Sequence, residues 1–309
     1  MAKNMREHNF IHYLEAKKSV DDRSLNQQVL EKLSIRLHAR GQKETLKVLE
    51  MGGGMGTMLT RLIAREVLPS CEYTLVDLQE ENILQAKNYL IEWGKSRGYV
   101  VSSGNRHQLI LEKGDTHYQV TLQAEELYEF AKHSQVKWDL LICHAFLDLL
   151  DLTKALPVLF ELLRSHGLFY FTINYDGVTT FEPVIDQEIE NQILGYYNAT
   201  MDKRMIDGKL SGDSQTGRKL FVALREFGAE IDAAGSSDWV VFPGGDGYVK
   251  DEAYFLHFII HTIEQALENH PELHPEILAN WVIERHNQIE ANQLVFMAHQ
   301  FDFLGTSPD

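Results

Sequence analysis

An acid and three glycines at alternate positions, Glu50, Gly52, Gly54 and Gly56, lie between a β-rich run, "TLKV", and the amphipathic "MLTRLIARE". Glycine lets a backbone turn sharply and approach a ligand closely, and a helix that starts just afterwards aims its first N–H groups there. Two ligand classes compete for such a loop. A dinucleotide pyrophosphate calls for G-x-G-x-x-G. Counting from Gly52 and Gly54, the third glycine falls on Thr57; counting from Gly54 and Gly56, it falls on Leu59. Neither register fits, and the spacing that does fit is E-x-G-x-G-x-G.

A loop of this kind needs a strand before it, a helix after it and a sheet to hold both. The sequence supplies them. From Thr45 onward, "TLKVLEMG", "CEYTLVDL" (71–78), "WDLLICHAF" (138–146) and "LFYFTINY" (168–175) read as strands separated by helical segments. "HQLILEK" and "HYQVTLQA" flank Gly114-Asp115-Thr116 as a hairpin. Strands alternating with helices imply right-handed βαβ units and a doubly wound, mostly parallel α/β sheet. Asp77 closes the second strand, where a carboxylate can accept two ribose hydroxyls. An acid at this place also occurs in NAD-binding folds.

The Glu50, Gly52, Gly54, Gly56 pattern resembles the first motif of the class I, Rossmann-like S-adenosylmethionine-dependent methyltransferases. The resemblance covers about residues 40–180. It implies a seven-stranded sheet, with the glycines against the methionine part of the cofactor and Glu50 orienting it through water or the amino group. It also implies Asp77 on the ribose, Glu125 of "LQAEELYEF" beside the adenine amino group, and Arg23 as a candidate partner for the cofactor carboxylate. Arg23 paired with Asp21 or Asp22 is the alternative, and Glu125 as a plain helix-starting acid is another.

In that family the segment after the fourth strand, here "CHAFLDLLD", lines the junction of cofactor and acceptor. The Asp/Asn-Pro-Pro-Tyr/Phe of base-methylating members is absent. His144 is the candidate for taking a proton from the acceptor, and for touching the cofactor, with Asp176 as a second acid–base candidate. Asn174 and Tyr175 follow the fifth strand at the carboxyl edge, where doubly wound sheets bind ligands. Tyr197, Asp238 and Trp239 are further acceptor-binding candidates, since an aromatic beside carboxylates can hold a cationic or amine group. Each of these aromatics also reads as core.

The remaining chain divides into a helical N-terminal cap (1–40), the cofactor-binding core (41–182), a helical insertion followed by a helix (183–228), and terminal strands (229–309) that carry a helical insertion at 243–292. His257 and His261 are spaced i, i+4, but "HFIIH" lacks HExxH, so no metal is expected. A formal charge of −16 disfavours nucleic acid, and no run of about 18 apolar residues suggests a membrane span. Cys71 and Cys143 cannot make a disulfide framework, which fits the cytoplasm. The expectation is a methyltransferase acting on a small-molecule N, O or C nucleophile, with a homodimer compatible. A non-catalytic cofactor-binding module is the alternative, and an NAD-dependent oxidoreductase is a more distant one.

Overall fold

The computed structural model describes residues 9–41, 44–104, 107–206 and 208–309. In chain order the first elements are α1 (Phe10–Ser24), α2 (Gln27–Gly41), β1 (Leu46–Met51), α3 (Thr57–Ala64), β2 (Cys71–Asp77) and α4 (Glu80–Ser96). Next come β3 (Val100–Ser103), β4 (Gln108–Lys113), β5 (Thr116–Ala124), α5 (Leu127–His133), β6 (Trp138–His144), α6 (Leu152–Leu162) and β7 (Leu163–Glu182). The chain continues through α7 (Gln187–Asp202), β8 (Met205–Ile206), β9 (Lys209–Leu210), α8 (Thr216–Glu226), β10 (Glu230–Ser236) and β11 (Trp239–Val241). It ends with α9 (Glu252–Leu267), α10 (Pro275–Glu290) and β12 (Val295–Thr306).

Two compact units result. The larger comprises Leu25–Asp176, Gln215–Ser237 and Gln300–Asp309. Its strands run in the order β10-β12-β7-β6-β1-β2-β5-β4-β3. β2, β1, β6 and β7 pair in parallel, as do β2 and β5, while β10 and β12 are antiparallel. The expected doubly wound α/β sheet is therefore present. It exceeds the expected seven strands because the β3–β4 ribbon extends it antiparallel beyond β5 and β11 pairs with β12.

Period-two alternation sorts the central strands onto two faces. Leu49 and Met51 of β1 join Leu141, Cys143, Phe169, Phe171 and Phe303 in a core covered by Leu156 and Leu159 of α6 and Leu220 and Leu224 of α8. Glu50 alternates with them and so faces the other way. β6, "WDLLICH", is buried up to its last residue, as a central strand covered on both faces must be.

The smaller unit comprises Met1–Ser24, Gly177–Ser214 and Asp238–His299. Within it α9 packs on α1, α7 and α10, and β11 pairs with β12 from Trp239↔Ala298 to Val241↔Phe296. A buried polar network holds α7 to α10. Arg285 donates to Glu190 Oε1, to Gln288 Oε1 at 2.6 Å and to the Pro183 carbonyl at 2.9 Å. Trp281 Nε1 donates to the same Glu190 oxygen at 2.9 Å.

Two boundaries differ from the sequence expectation. The N-terminal helical segment, 1–40 in the sequence reading, divides between the units, with α1 in the smaller and α2 in the larger. The chain parts at Ser24, where Asn26 and Asp302 start α2 afresh: Asp302 Oδ2 accepts from Asn26 N at 2.8 Å, and Asn26 Oδ1 accepts from Val29 N. The fifth expected strand, 168–175, extends at both ends to form β7, because β-branched and aromatic residues, "VTTFE", continue it past Gly177. Ile173, inside that strand, holds φ +56, a costly value for a β-branched residue. Its N–H is held by the other oxygen of Asp302, Oδ1, at 2.8 Å.

Candidate functional site

The glycine loop leaves β1 at Met51 and enters α3 at Thr57. Gly52, Gly54 and Gly56 all adopt left-handed φ, +69, +51 and +74, where a side chain is strained. The loop is anchored at several points. Gly52 N and Gly53 N donate to the Val76 carbonyl at 2.9 and 3.1 Å, and Gly54 N donates to Asp77 Oδ2 at 2.9 Å. Gly52 and Gly53 also have a packing duty. A β-carbon on Gly52 would stand 2.3 Å from the Phe146 ring, and one on Gly53 would stand 2.4 Å from Leu75. Gly54 carries the loop past that packed floor.

Asp77 does more than its position suggested. Besides Gly54, its other oxygen accepts from Gln79 N and from Asn82 Nδ2, both at 2.9 Å. A carboxylate offers about four acceptor positions, and three are taken here. The carboxylate thereby fixes two loops, the glycine loop and the start of α4, at the place where the sequence expected a ribose contact. Asn82, which completes the clasp, carried no signal in the sequence beyond its place in the first turn of α4.

Glu50 is 1% exposed and faces α3. Among the described residues its carboxylate receives one hydrogen bond, from the Tyr73 hydroxyl to Oε2 at 2.7 Å. Burial raises its pKa to about 7; the Tyr73 bond and the Arg61 guanidinium pull it down, and Asp77 adds a small upward push. A buried acid with a single donor is suited to receive a ligand's ammonium group. Together with the left-handed glycines, this makes β1 and its loop fit a ligand that carries an amino group and demands close backbone approach.

His144 ends β6, and its Nδ1 lies 2.8 Å from Thr172 Oγ1 of β7, the residue opposite it in the parallel register. Thr172 is fully buried, so the ring's orientation is fixed from below. The next residue, Ala145, turns sharply at φ +50 and donates to the Thr172 carbonyl at 2.9 Å. Phe146 then reaches Gly52. The histidine loop and the glycine loop are thus in direct contact.

Other sequence candidates have different partners. Glu125 pairs with His133 Nε2 at 2.8 Å, while Glu126 caps α5 by accepting from Tyr128 N and Glu129 N. The backbone N of Glu125 donates to the Asp77 carbonyl at 2.9 Å, which keeps that segment beside the β2 end. Asp176, the second acid–base candidate, is 3% exposed and paired with Arg218. Asn174 is fully buried, donating to the Phe301 carbonyl at 2.8 Å, and its Oδ1 has no hydrogen-bond partner among the described residues. Tyr175 is 8% exposed. Both were expected at an open strand end, but β7 continues past them.

In the smaller unit, Arg23, the candidate for the cofactor carboxylate, donates to both oxygens of Glu252 and to the Val240 carbonyl rather than to the alternative partners Asp21 or Asp22. Trp239 is buried and donates Nε1 to Asp21 at 3.0 Å. The cation over its ring is the protein's own Lys17, at 5.1 Å, whose ammonium also donates to Asp21 at 2.6 Å. Asp238 pairs with His299 Nδ1 at 2.7 Å. Tyr197 is half-buried on α7. His257 Nδ1 lies 2.7 Å from His286 Nδ1 rather than aligning with His261. Among the described residues, no group of three or more His, Cys, Asp or Glu is placed to hold a metal, and no helix is long and apolar enough to cross a membrane.

The strand order β5-β2-β1-β6-β7-β12-β10, with an antiparallel terminal pair and a glycine loop after its central strand, is that of the class I, Rossmann-like methyltransferase fold. No protein-family model and no curated protein matches the chain. Solved structures do resemble it at low identity. An S-adenosylmethionine-dependent methyltransferase from Thiobacillus denitrificans, in complex with S-adenosyl-L-homocysteine, is 12% identical with a TM-score of 0.44 and 92% of each chain covered. A methyltransferase from Geobacter sulfurreducens with the same ligand is 12% identical, with a TM-score of 0.42 and coverage of 93% of this chain and 92% of that one. A cyclopropane synthase from Mycobacterium tuberculosis is 9% identical, with a TM-score of 0.44, 98% of this chain and 100% of that chain covered. The fold is defined by the strand order itself.

Proposed function

We propose that the chain binds S-adenosylmethionine and transfers its methyl group to a small-molecule N, O or C nucleophile. The observation that carries this reading is the loop itself: Glu50, Gly52, Gly54 and Gly56 on the central strand, with the three glycines left-handed and Gly54 tied to Asp77. S-adenosylmethionine supplies an already activated sulfonium methyl, so the protein acts mainly by positioning. Glu50 would receive the amino group, the glycine loop would border the methionine part, and Asp77 would keep one acceptor position for the ribose. His144, oriented by Thr172, would take a proton where the acceptor must lose one.

A net charge of −16 supports a small acceptor over nucleic acid. Cys71 and Cys143 are both free and buried, which supports the cytoplasm as the working compartment. A non-catalytic cofactor-binding role is the second reading, favoured by one observation: Asp176 and Trp239, expected to serve the acceptor, are occupied by Arg218 and Lys17.

Calorimetry with S-adenosylhomocysteine and with NAD tests the binding. Saturable heat with the first and none with the second is expected; the reverse overturns the proposal. Formation of S-adenosylhomocysteine from S-adenosylmethionine with a panel of amines, phenols and activated carbons then separates the enzyme from the module.

A further inference from the structure

Glu50 and Tyr73 make a pair that the glycine motif does not require. Both are buried, at 1% and 0% exposure, on neighbouring parallel strands, and they meet diagonally because Glu50 stands opposite Leu75 and Val48 opposite Tyr73. The hydroxyl donates to the carboxyl at 2.7 Å. The charged and titratable groups around them are Arg61 on α3, Asp77 and Cys71 on β2, and Cys143 on β6. Arg61 is the one cation of that set; it is 3% exposed, and its Nη1 also lies against Met58 Sδ at 3.8 Å. Its attraction does not offset the desolvation of Glu50, whose pKa rises to about 7.

We propose that Tyr73 is a positioning residue that makes ligand binding at Glu50 proton-coupled: a ligand ammonium takes the place of the carboxyl proton, which leaves to solvent. The inference rests on the S-adenosylmethionine reading of the loop. The balance is simple. A protonated Glu50 and a cationic ligand amine give an ionised Glu50, the bound ammonium and one released proton. Tyr73 sets how readily the free protein gives up that proton, because its hydroxyl stabilises the ionised form. Below the pH at which Glu50 ionises in the free protein, affinity rises by up to about tenfold per pH unit; above it, affinity levels off. Without the hydroxyl, the bend moves to higher pH.

The test is titration calorimetry of S-adenosylhomocysteine at pH 6, 7 and 8, in buffers of different ionisation enthalpy, on wild type, Tyr73→Phe and Glu50→Gln. Wild type is expected to release close to one proton at pH 6 and little at pH 8. Tyr73→Phe should release more proton than wild type at pH 8, and Glu50→Gln should show no Glu50-linked release at any pH. Buffer-independent heat in wild type, or a Tyr73→Phe profile that overlays wild type, overturns the proposal while leaving the binding intact. If Tyr73→Phe folds poorly, the comparison of wild type with Glu50→Gln decides alone: equal proton release in both overturns it. Absence of binding to any form at every pH sinks the proposal and the methyltransferase reading together.

Discussion

Arg218 closes on the Asp176 carboxylate from one side with its backbone N–H and Nε, both to Oδ1, at 2.7 and 2.8 Å, and with Nη2 to Oδ2 at 2.8 Å. Nη2 also reaches the Asp176 carbonyl at 2.9 Å. A carboxylate held this way is a firm anchor. It fastens the start of α8 to β7, and Gly217 permits the approach, since a β-carbon there would lie 2.7 Å from the Asn174 carbonyl. Arg218→Ala should therefore lower stability by about 1–3 kcal/mol, because it strands a buried anion. Urea denaturation measures this. Asp176→Asn separates anchor from base: a loss of stability with turnover retained is expected, and the opposite pattern would restore the proton-transfer role.

Glu50 predicts effects of opposite sign on the free and the bound protein. Its folded pKa of about 7 stands above the ordinary value of 4.5. The stabilisation from holding the proton is complete below pH 4.5 and is lost as pH rises through 7. For the free protein at pH 8, Glu50→Gln should be more stable than wild type by about 3 kcal/mol, and the difference should vanish near pH 4. The same variant should bind S-adenosylhomocysteine more weakly. Melting curves across pH with and without ligand test both halves.

The glycines should respond unequally. Gly52→Ala and Gly53→Ala drive a β-carbon into Phe146 and Leu75, so melting temperature should fall whether or not ligand is present. Gly54→Val should cost about 1–3 kcal/mol of stability through its left-handed φ and abolish measurable binding by blocking the approach to the loop. A Gly54→Val protein that binds normally would show that the loop is not the cradle.

In the smaller unit, Glu190 should be indispensable to the α7–α10 junction. Its Oε1 serves both Trp281 and Arg285, and Arg285 is fully buried. Glu190→Ala leaves an uncompensated cation and should cost about 3–5 kcal/mol by chemical denaturation. Arg285→Met combined with Glu190→Leu should recover much of that loss, since desolvation of the pair is then avoided.

The features that repeat at short range were legible from the sequence. Alternating apolar runs gave the parallel core and the β4–β5 hairpin, and glycine spacing located the loop that Gly54 and Asp77 now fasten. Long-range partnerships were not. Arg218 follows Asp176 by 42 positions, and Asp302 reaches Ile173 across 129. Trp239 had the composition of a cation-binding wall, but only the fold shows that Lys17 and Asp21 already occupy it. Asn174 and Tyr175 were expected at a strand end because Asp176 and Gly177 read as a break, whereas the β-branched and aromatic residues beyond them continue the strand. His144 was singled out by its place at the end of an apolar strand, whereas Thr172, which fixes its ring, looks in sequence like any strand residue.

The Asp77 clasp has a kinetic corollary. The β1–α3 turn gives up its freedom when the protein folds rather than when a ligand arrives, because Gly54, Gln79 and Asn82 are already gathered on one carboxylate. An arriving ligand meets a seat whose shape is set, so no slow reordering of this segment stands between encounter and capture. Observed association rates should grow in proportion to ligand concentration without reaching a plateau. Asp77→Asn, which loosens the clasp, should introduce one.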